Sequence, residues 1–270
     1  MNKVVVITGA SSGIGYYTAK VFAENGFIVY GLCRTKEDLE GVNYISTDLK
    51  SDESVNAAFQ KIKEERQTID ILINNAGVGI TGAVEFSEMR DIDWQFNVNV
   101  YGAMRCIKQA LPLMRKKGGK ILNISSIAAI FPLPFQGVYS MTKTAVNSLS
   151  LVLRNELRDF DIDVCSIMPG DAKTGFTDAR RKNNAGDDLY RGVISHSVNK
   201  MIRDEETGRH PSKYAQRIYK IASKRKLKPF YATDLAYSIA IVAERLLPRR
   251  FVFYVLSKMY IRRPKEKSKS

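Results

Sequence analysis

Disulfide and metal chemistry have almost nothing to work with in this chain. Its three cysteines, Cys33, Cys106 and Cys165, are odd in number and far apart, with no C-x-x-C spacing. They read as reduced core residues of a cytosolic protein. The two histidines, His196 and His210, are too few and too scattered for a metal site or a histidine relay. No metal is expected. There is no run of 18 or more apolar residues, which excludes a membrane-spanning helix. The first apolar run, Val4 to Ile7, is too short for the core of a signal peptide, so a cytoplasmic location is expected. No zinc-finger, RRM or KH pattern accompanies the basic charge, which argues against a nucleic-acid partner.

What is present is ordinary in amount and uneven in place. The chain has 270 residues, 44% apolar and 26% charged, enough to bury a sizeable core as one large domain or two small ones. The net charge is +14. Residues 1–178 hold 19 Lys/Arg against 20 Asp/Glu; residues 179–270 hold 23 against 8. The basic last third suits an anionic ligand, an anionic membrane surface or, more simply, a solvated basic face.

Short apolar runs alternate with longer amphipathic segments. Val4–Ile7, Phe27–Leu32, a short run ending at Ile45, Asp70–Ile73, Lys120–Ile124 and Ile162–Ile167 read as strands. Helices are expected from about Gly13 to Asn25, Asp52 to Arg66, Asp91 to Lys117 and Tyr139 to Phe160. This rhythm means βαβ units around a parallel sheet covered on both faces. Residues 175–232 are polar, basic and irregular, with a helix expected over 212–223 and a last strand at Pro229–Ala232. Asp234 is placed to cap a helix that runs to Leu246, before Pro248. The tail 262–270 is charged and expected to be disordered.

Between the first strand and the first helix lies Thr8-Gly9-Ala10-Ser11-Ser12-Gly13-Ile14-Gly15. Glycines there let backbone approach a pyrophosphate at a helix N-terminus that offers free N–H groups and a positive dipole end. At the end of the second strand, where a carboxylate would hold a ribose 2′-hydroxyl, stand Cys33 and Arg34. An arginine suits a 2′-phosphate by charge and by its fork of donors, which favours NADP(H), with NAD(H) not excluded. Further on, Tyr139 and Lys143 are four apart on a helix and share a face. An ammonium close to a phenol stabilises the phenolate, making a group able to exchange a proton with a carbonyl or alcohol.

In family order and spacing, the chain resembles the short-chain dehydrogenase/reductase family over residues 3–178. The motifs are the Thr8–Gly15 turn, Asn74-Asn75-Ala76-Gly77, Asn97-Val98-Asn99-Val100-Tyr101-Gly102, Ser125-Ser126, Tyr139–Lys143 and Pro169-Gly170. The resemblance implies an α/β fold, a doubly wound, mostly parallel Rossmann sheet with a C-terminal substrate lid and helical extension. It implies one domain over 1–270, divided into a cofactor and catalytic core (1–178), a lid region (179–232), an extension (233–261) and the tail. It makes Tyr139 the proton donor or acceptor, and Lys143 the group that lowers its pKa and holds the nicotinamide ribose. The serine thirteen residues before the tyrosine, Ser126, takes the substrate oxygen, in preference to Ser125. Asn99 holds a water of the proton relay, with Asn97 as the runner-up. Gly9, Ser11, Ser12, Gly13, Ile14 and Gly15 would cradle the dinucleotide, and Ser11 and Arg34 the 2′-phosphate. Asp48 and Leu49 would meet adenine; Asn74, Asn75, Ala76 and Gly77 would line the adenosine side. Pro169, Gly170 and Thr174 would cover the nicotinamide. Asp171 and Ala172 depart from the family pattern, and neither is expected to contact it.

The implied activity is hydride transfer between NADP(H) and a carbonyl or alcohol, as a reductase. Phe131-Pro132-Leu133-Pro134-Phe135, Phe176, Tyr190 and Met201 suggest a greasy substrate such as a steroid, retinoid or lipid ketone or aldehyde, unless they are simply core. The apolar-basic segment from Arg249 to Tyr260, with the rest of 249–270, suits either an interfacial helix on anionic lipid or, preferred, a flap packed on the subunit or an oligomer partner. The long helices match the family's homodimer and homotetramer surfaces. A silent NADP(H)-binding regulator is the rival reading, against which the joint presence of Ser126, Tyr139 and Lys143 argues. A nucleic-acid-binding protein is the third.

Overall fold

A computed structural model describes residues 2–35 and 37–261; the tail expected at 262–270 lies outside the described residues. In chain order the elements are β1 (Val4–Thr8), α1 (Gly13–Glu24), β2 (Ile28–Cys33), β3 (Val42–Ser46), α2 (Asp52–Arg66), β4 (Ile71–Asn74) and β5 (Ile80–Thr81). Then come α3 (Met89–Phe96), α4 (Gly102–Met114), β6 (Gly119–Ile124), α5 (Gly137–Glu156), β7 (Ile162–Met168), α6 (Phe176–Ala179) and β8 (Arg181–Lys182). The last are α7 (Val193–Glu206), α8 (Pro211–Ala222), β9 (Phe230–Ala232), α9 (Leu235–Leu246) and α10 (Arg249–Tyr260).

Seven strands form one parallel sheet in the order β3-β2-β1-β4-β6-β7-β9, while β5 and β8 pair separately. The strand order reverses at β1 and β4, which opens a crevice at their carboxyl ends. Successive side chains of a strand point to opposite faces, and β1 shows the consequence. Val4 and Val6 join the core under α2 and α4, with Phe59, Ile62, Ile107 and Met114. Val5 and Ile7 join the other core under α1 and α8, with Phe22, Ile218 and Ile221. A strand buried on both faces favours apolar residues, which is why Val4–Ile7 of β1 and Ile71–Ile73 of β4 read as unbroken apolar runs; the buried Thr8 and Asn74 at their ends are hydrogen-bonded.

Local chemistry sets the ends of α2. The Ser51 hydroxyl accepts from Ser54 N at 3.0 Å. Asp52 and Glu53 sit in the first turn and Lys63 and Arg66 in the last, each sign favourable to the helix dipole. Gln67 ends the helix in the left-handed region.

Three expectations need correction and a fourth needs narrowing. The helix expected over 91–117 is two helices, α3 and α4, joined by a π turn at Asn97–Tyr101. The irregular segment 175–232 holds α6, β8 and α7 before α8. Asp234 stands at the N-cap of α9 but makes no side-chain cap. Its carboxylate instead meets Arg209 at 2.6 Å and accepts from the Thr233 hydroxyl at 3.1 Å. And 249–260 packs on its own subunit along one side only: Val252 and Leu256 are half-buried, and Tyr260 is buried with its hydroxyl donating to Asp204 Oδ2 on α7 at 3.1 Å. Phe251, Phe253, Tyr254 and Met259 are exposed, as are Leu235, Ile239, Val242 and Leu246 along one side of α9. Burying such side chains would be worth about 1.5–3 kcal/mol each, and none of the described residues covers them. No helix among the described residues is long and apolar enough to cross a membrane.

Candidate active site

A cavity of about 380 Å³ lies at the carboxyl ends of β1, β4, β6 and β7. Its floor at one end is the turn after β1, from which Gly9, Ser11, Ser12, Gly13 and Ile14 line it. Gly9 (φ +65°) and Gly13 (φ +53°) are in the left-handed region, where a side chain is strained. A Cβ on Gly9 would stand 2.9 Å from Ala76 Cα, and one on Gly13 3.3 Å from Thr174. Gly15 is buried behind the turn rather than on the cavity wall, and a Cβ there would overlap the Gly9 carbonyl oxygen. It allows α1 to approach β1. Asn75 braces the turn from β4: its amide donates to Thr8 O at 3.0 Å and Gly9 O at 3.2 Å. This backbone-lined cradle at a helix N-terminus fits a dinucleotide pyrophosphate.

Arg34, Asp48, Leu49, Ala76, Gly77, Pro169, Gly170 and Thr174 also line the cavity. Arg34 is exposed at the rim and makes no ion pair among the described residues. Asn74 does not line it. Its side chain lies in the sheet and donates to Asn123 Oδ1 at 2.8 Å, at the head of a buried polar chain through Ser150 to Ser166. The expectation that Asn74 lines the adenosine side is corrected accordingly. Asp171 and Ala172 border the cavity, but the Asp171 carboxylate accepts from the Tyr237 hydroxyl at 2.8 Å and its carbonyl from Tyr214 at 2.7 Å. Those two tyrosines tie the loop after β7 to α8 and α9.

Past the nucleotide end, Ser126, Tyr139 and Lys143 converge. The β6 strand ends at Ser125-Ser126. Ser125 is 3% exposed and its hydroxyl donates to Lys143 O at 3.0 Å, while Ser126 Oγ accepts from Ala128 N at 3.1 Å and its hydroxyl favours the Tyr139 phenolate. Lys143, one helical turn after Tyr139, is 4% exposed; its Nζ donates to Ile124 O at 2.9 Å and lies 5.6 Å from the Tyr139 ring centre. Burial pushes the Tyr139 phenol up to about 12, against the smaller pull of the Ser126 bond and of Arg180. Burial also pushes the Lys143 ammonium down to about 8. The expected lowering of the tyrosine pKa by this lysine is not seen here: Lys143 is not among the groups that move it, and desolvation dominates.

The two asparagines of the π turn part ways. Asn97 Oδ1 accepts from Arg105 Nη1 at 2.7 Å, away from the cavity. Asn99 is 3% exposed; its Oδ1 accepts from Val78 N at 2.8 Å and its Nδ2 donates to Val78 O at 2.9 Å and Thr142 Oγ1 at 3.1 Å. It does not reach the cavity wall, yet it and Lys143 Nζ meet over Gly77: a Cβ there would stand 3.5 Å from Asn99 Oδ1 and 3.4 Å from Nζ. The extra residue of a π turn re-aims side chains, and here it turns Asn99 inward.

Apolar groups wall the far end. Leu133, Phe176 and Met201, all anticipated, line it. Phe135 and Tyr190 do not; they pack edge to face at 5.6 Å in a small separate core with Ile194 and Val198. Sequence reasoning missed Trp94, Tyr260, Glu205 and Arg180. Trp94 and Tyr260 line the cavity from α3 and the end of α10, and no local motif marks either. Glu205 borders it from α7 and is ion-paired to Arg180, whose guanidinium lies 5.3 Å from the Phe176 ring centre; that ring lies 5.7 Å from the Tyr139 ring.

The family model for short chain dehydrogenase matches residues 3–185. A 3-ketodihydrosphingosine reductase of Bacteroides thetaiotaomicron is 40% identical over 232 residues, 84% of this chain and 86% of that one. A serine 3-dehydrogenase of Agrobacterium fabrum is 35% identical over 205 residues, 72% of this chain and 82% of that one. Among solved structures, a short-chain dehydrogenase from Streptomyces avermitilis superposes with a TM-score of 0.80 at 26% identity, covering 95% of both chains. The chain belongs to the short-chain dehydrogenase/reductase family, and is an oxidoreductase of CH–OH and C=O groups that uses a nicotinamide dinucleotide.

Proposed function

We propose that this protein is an NADP(H)-dependent reductase of a long-chain lipid ketone of the 3-ketodihydrosphingosine type, in which an amine stands beside the carbonyl and an alkyl chain beyond it. The observation that carries the reading is the joining, in one cavity, of the Ser126–Tyr139–Lys143 cluster to a wall of Trp94, Leu133, Phe176, Met201 and Tyr260. The 40% identical reductase of that ketone supports the substrate class. Arg34 at the rim beside Ser11, in place of a carboxylate, supports NADP(H).

When bound along the Gly9–Gly15 turn, the dinucleotide supplies the hydride. The residues of this chain do the rest. Ser126 holds the carbonyl oxygen and stabilises the charge that grows on it. Tyr139, protonated at neutral pH as any phenol is and held more firmly so by burial, donates its proton to that oxygen. Lys143, with a pKa near 8, restores the proton, with Asn99 beside it over Gly77. Asp48, Leu49, Asn75 and Ala76 hold the adenosine half, and Pro169, Gly170 and Thr174 the nicotinamide half.

The same reading places two further surfaces. Tyr101, Met104, Met141, Leu151 and Val152, exposed on α4 and α5 and the turn before them, form a homodimer face. The apolar side of α9 and α10, flanked by Arg245, Arg249, Arg250 and Lys258, rests on anionic lipid at a cytoplasmic membrane face, where a lipid ketone would be met. NADPH oxidation in the presence of 3-ketodihydrosphingosine tests the function; tight NADPH binding without turnover of any ketone would favour the silent-regulator reading.

A further inference from the structure

Three carboxylates border the cavity, and two have other employment. Asp48 stands at the nucleotide end, and Asp171 is held by Tyr237. Glu205 is left on the substrate side. Its setting is built rather than incidental. One carboxylate oxygen takes the Arg180 guanidinium, and the other accepts the Thr177 hydroxyl at 2.6 Å. Arg180 has no side-chain surface exposed, and its Nε and Nη1 have no hydrogen-bond partner among the described residues. A buried guanidinium and a hydroxyl, one on each carboxylate oxygen, hold the Glu205 side chain in one orientation. A carboxylate has about four acceptor positions; the two bonds named here leave acceptor capacity on a side chain that borders the cavity.

The pair sits one aromatic ring away from the reacting group. Phe176 lies 5.7 Å from the Tyr139 ring on one side and 5.3 Å from the Arg180 guanidinium on the other. The Glu205 charge is felt at the Tyr139 hydroxyl, whose pKa it helps to raise, so the carboxylate and the reacting group share one end of the cavity. The ligand chemistry that satisfies an oriented carboxylate in an otherwise apolar wall is a cation with N–H donors.

Resting on the reductase reading above, we infer that Glu205, held by Arg180 and Thr177, is the specificity residue that binds a primary ammonium on the carbon next to the substrate carbonyl. Arg180 and Thr177 are positioning residues. Amine-free ketones of the same length fit the apolar wall but leave the carboxylate without its cation.

The test compares two probes, 3-ketodihydrosphingosine and its amine-free counterpart 1-hydroxyoctadecan-3-one, in the full chain with NADPH. The expected wild-type kcat/KM is higher for the amine by about tenfold or more, the factor that one such contact of about 1.4 kcal/mol confers. In Glu205→Gln that ratio falls toward one, with the change in KM rather than kcat. Equal kcat/KM for both ketones in the wild type would overturn the inference and leave the reductase reading standing. So would an equal loss on both ketones in Glu205→Gln, which would make the pair a brace between the end of α6 and α7. Reduction of neither ketone by the wild type would remove both readings. Because the wild-type ratio needs no variant, the test survives a failure of Glu205→Gln to fold.

Discussion

The Lys143 ammonium lies 5.6 Å from the centre of the Tyr139 ring and donates to the Ile124 carbonyl at 2.9 Å. One helical turn separates the two residues, and burial moves their pKa values toward opposite uses. The phenol is pushed up to about 12 and stays protonated; the ammonium is pushed down to about 8, where it exchanges protons readily.

The lysine shift has a consequence for stability. The unfolded chain keeps its Lys143 proton up to the ordinary value of 10.5, while the folded site releases it near 8. Between those values the unfolded state binds more protons, so stability rises with pH. Relative to Lys143→Met, which retains Tyr139, the wild type should gain on the order of 3 kcal/mol from pH 8 to 10.5. Denaturant midpoints of both proteins across that window measure it; a constant difference contradicts the buried-ammonium assignment.

Gly15 tests the cradle. A Cβ there overlaps backbone, which cannot swing aside as a side-chain end can. Gly15→Ala should cost about 1–3 kcal/mol of stability, the usual range for overpacking, and weaken NADPH binding. Melting and fluorescence titration read both; unchanged values would mean that α1 approaches β1 less closely than described.

Arg34 tests the cofactor preference. Charge-assisted hydrogen bonds contribute about 1.5–3 kcal/mol, or roughly 10- to 150-fold in affinity. Arg34→Ala should raise KM for NADPH by such a factor and leave KM for NADH nearly unchanged. Parallel changes for both dinucleotides would show that Arg34 does not meet a 2′-phosphate.

The C-terminal helices test the lipid surface. The full chain should sediment with vesicles rich in phosphatidylserine and remain in the supernatant with neutral ones. Phe251→Ser with Phe253→Ser should lower the vesicle partition coefficient roughly 10²-fold or more, by loss of about 1.5–3 kcal/mol for each buried aromatic. Equal recovery from both vesicle types would mean that another copy of the chain covers this face.

The sheet and the cluster around Tyr139 were legible because each is written locally: apolar runs for β1 and β4, glycines in Thr8–Gly15, a four-residue spacing for Tyr139 and Lys143. The lid was not. Arg180 and Glu205 are 25 positions apart, just after α6 and on α7, and meet only through the folded chain. Asn99 was preferred to Asn97 on the motif alone, but the π turn that carries both had no local signal. Asn74 lies in the same motif as Asn75, yet strand alternation points one into the sheet and the other at the turn. Desolvation at Tyr139 was equally hidden, because burial is a property of everything packed around α5 and not of the Tyr-x-x-x-Lys spacing.

The central claim is that Tyr139 is the proton donor in reduction of a lipid ketone. Its most direct test is NADPH oxidation with 3-ketodihydrosphingosine by the wild type and by Tyr139→Phe, with NADPH affinity measured alongside. Turnover by the wild type, with a loss of roughly 10²- to 10⁴-fold in kcat for the variant at undiminished NADPH affinity, is the predicted result. Turnover by Tyr139→Phe at the wild-type rate would contradict it.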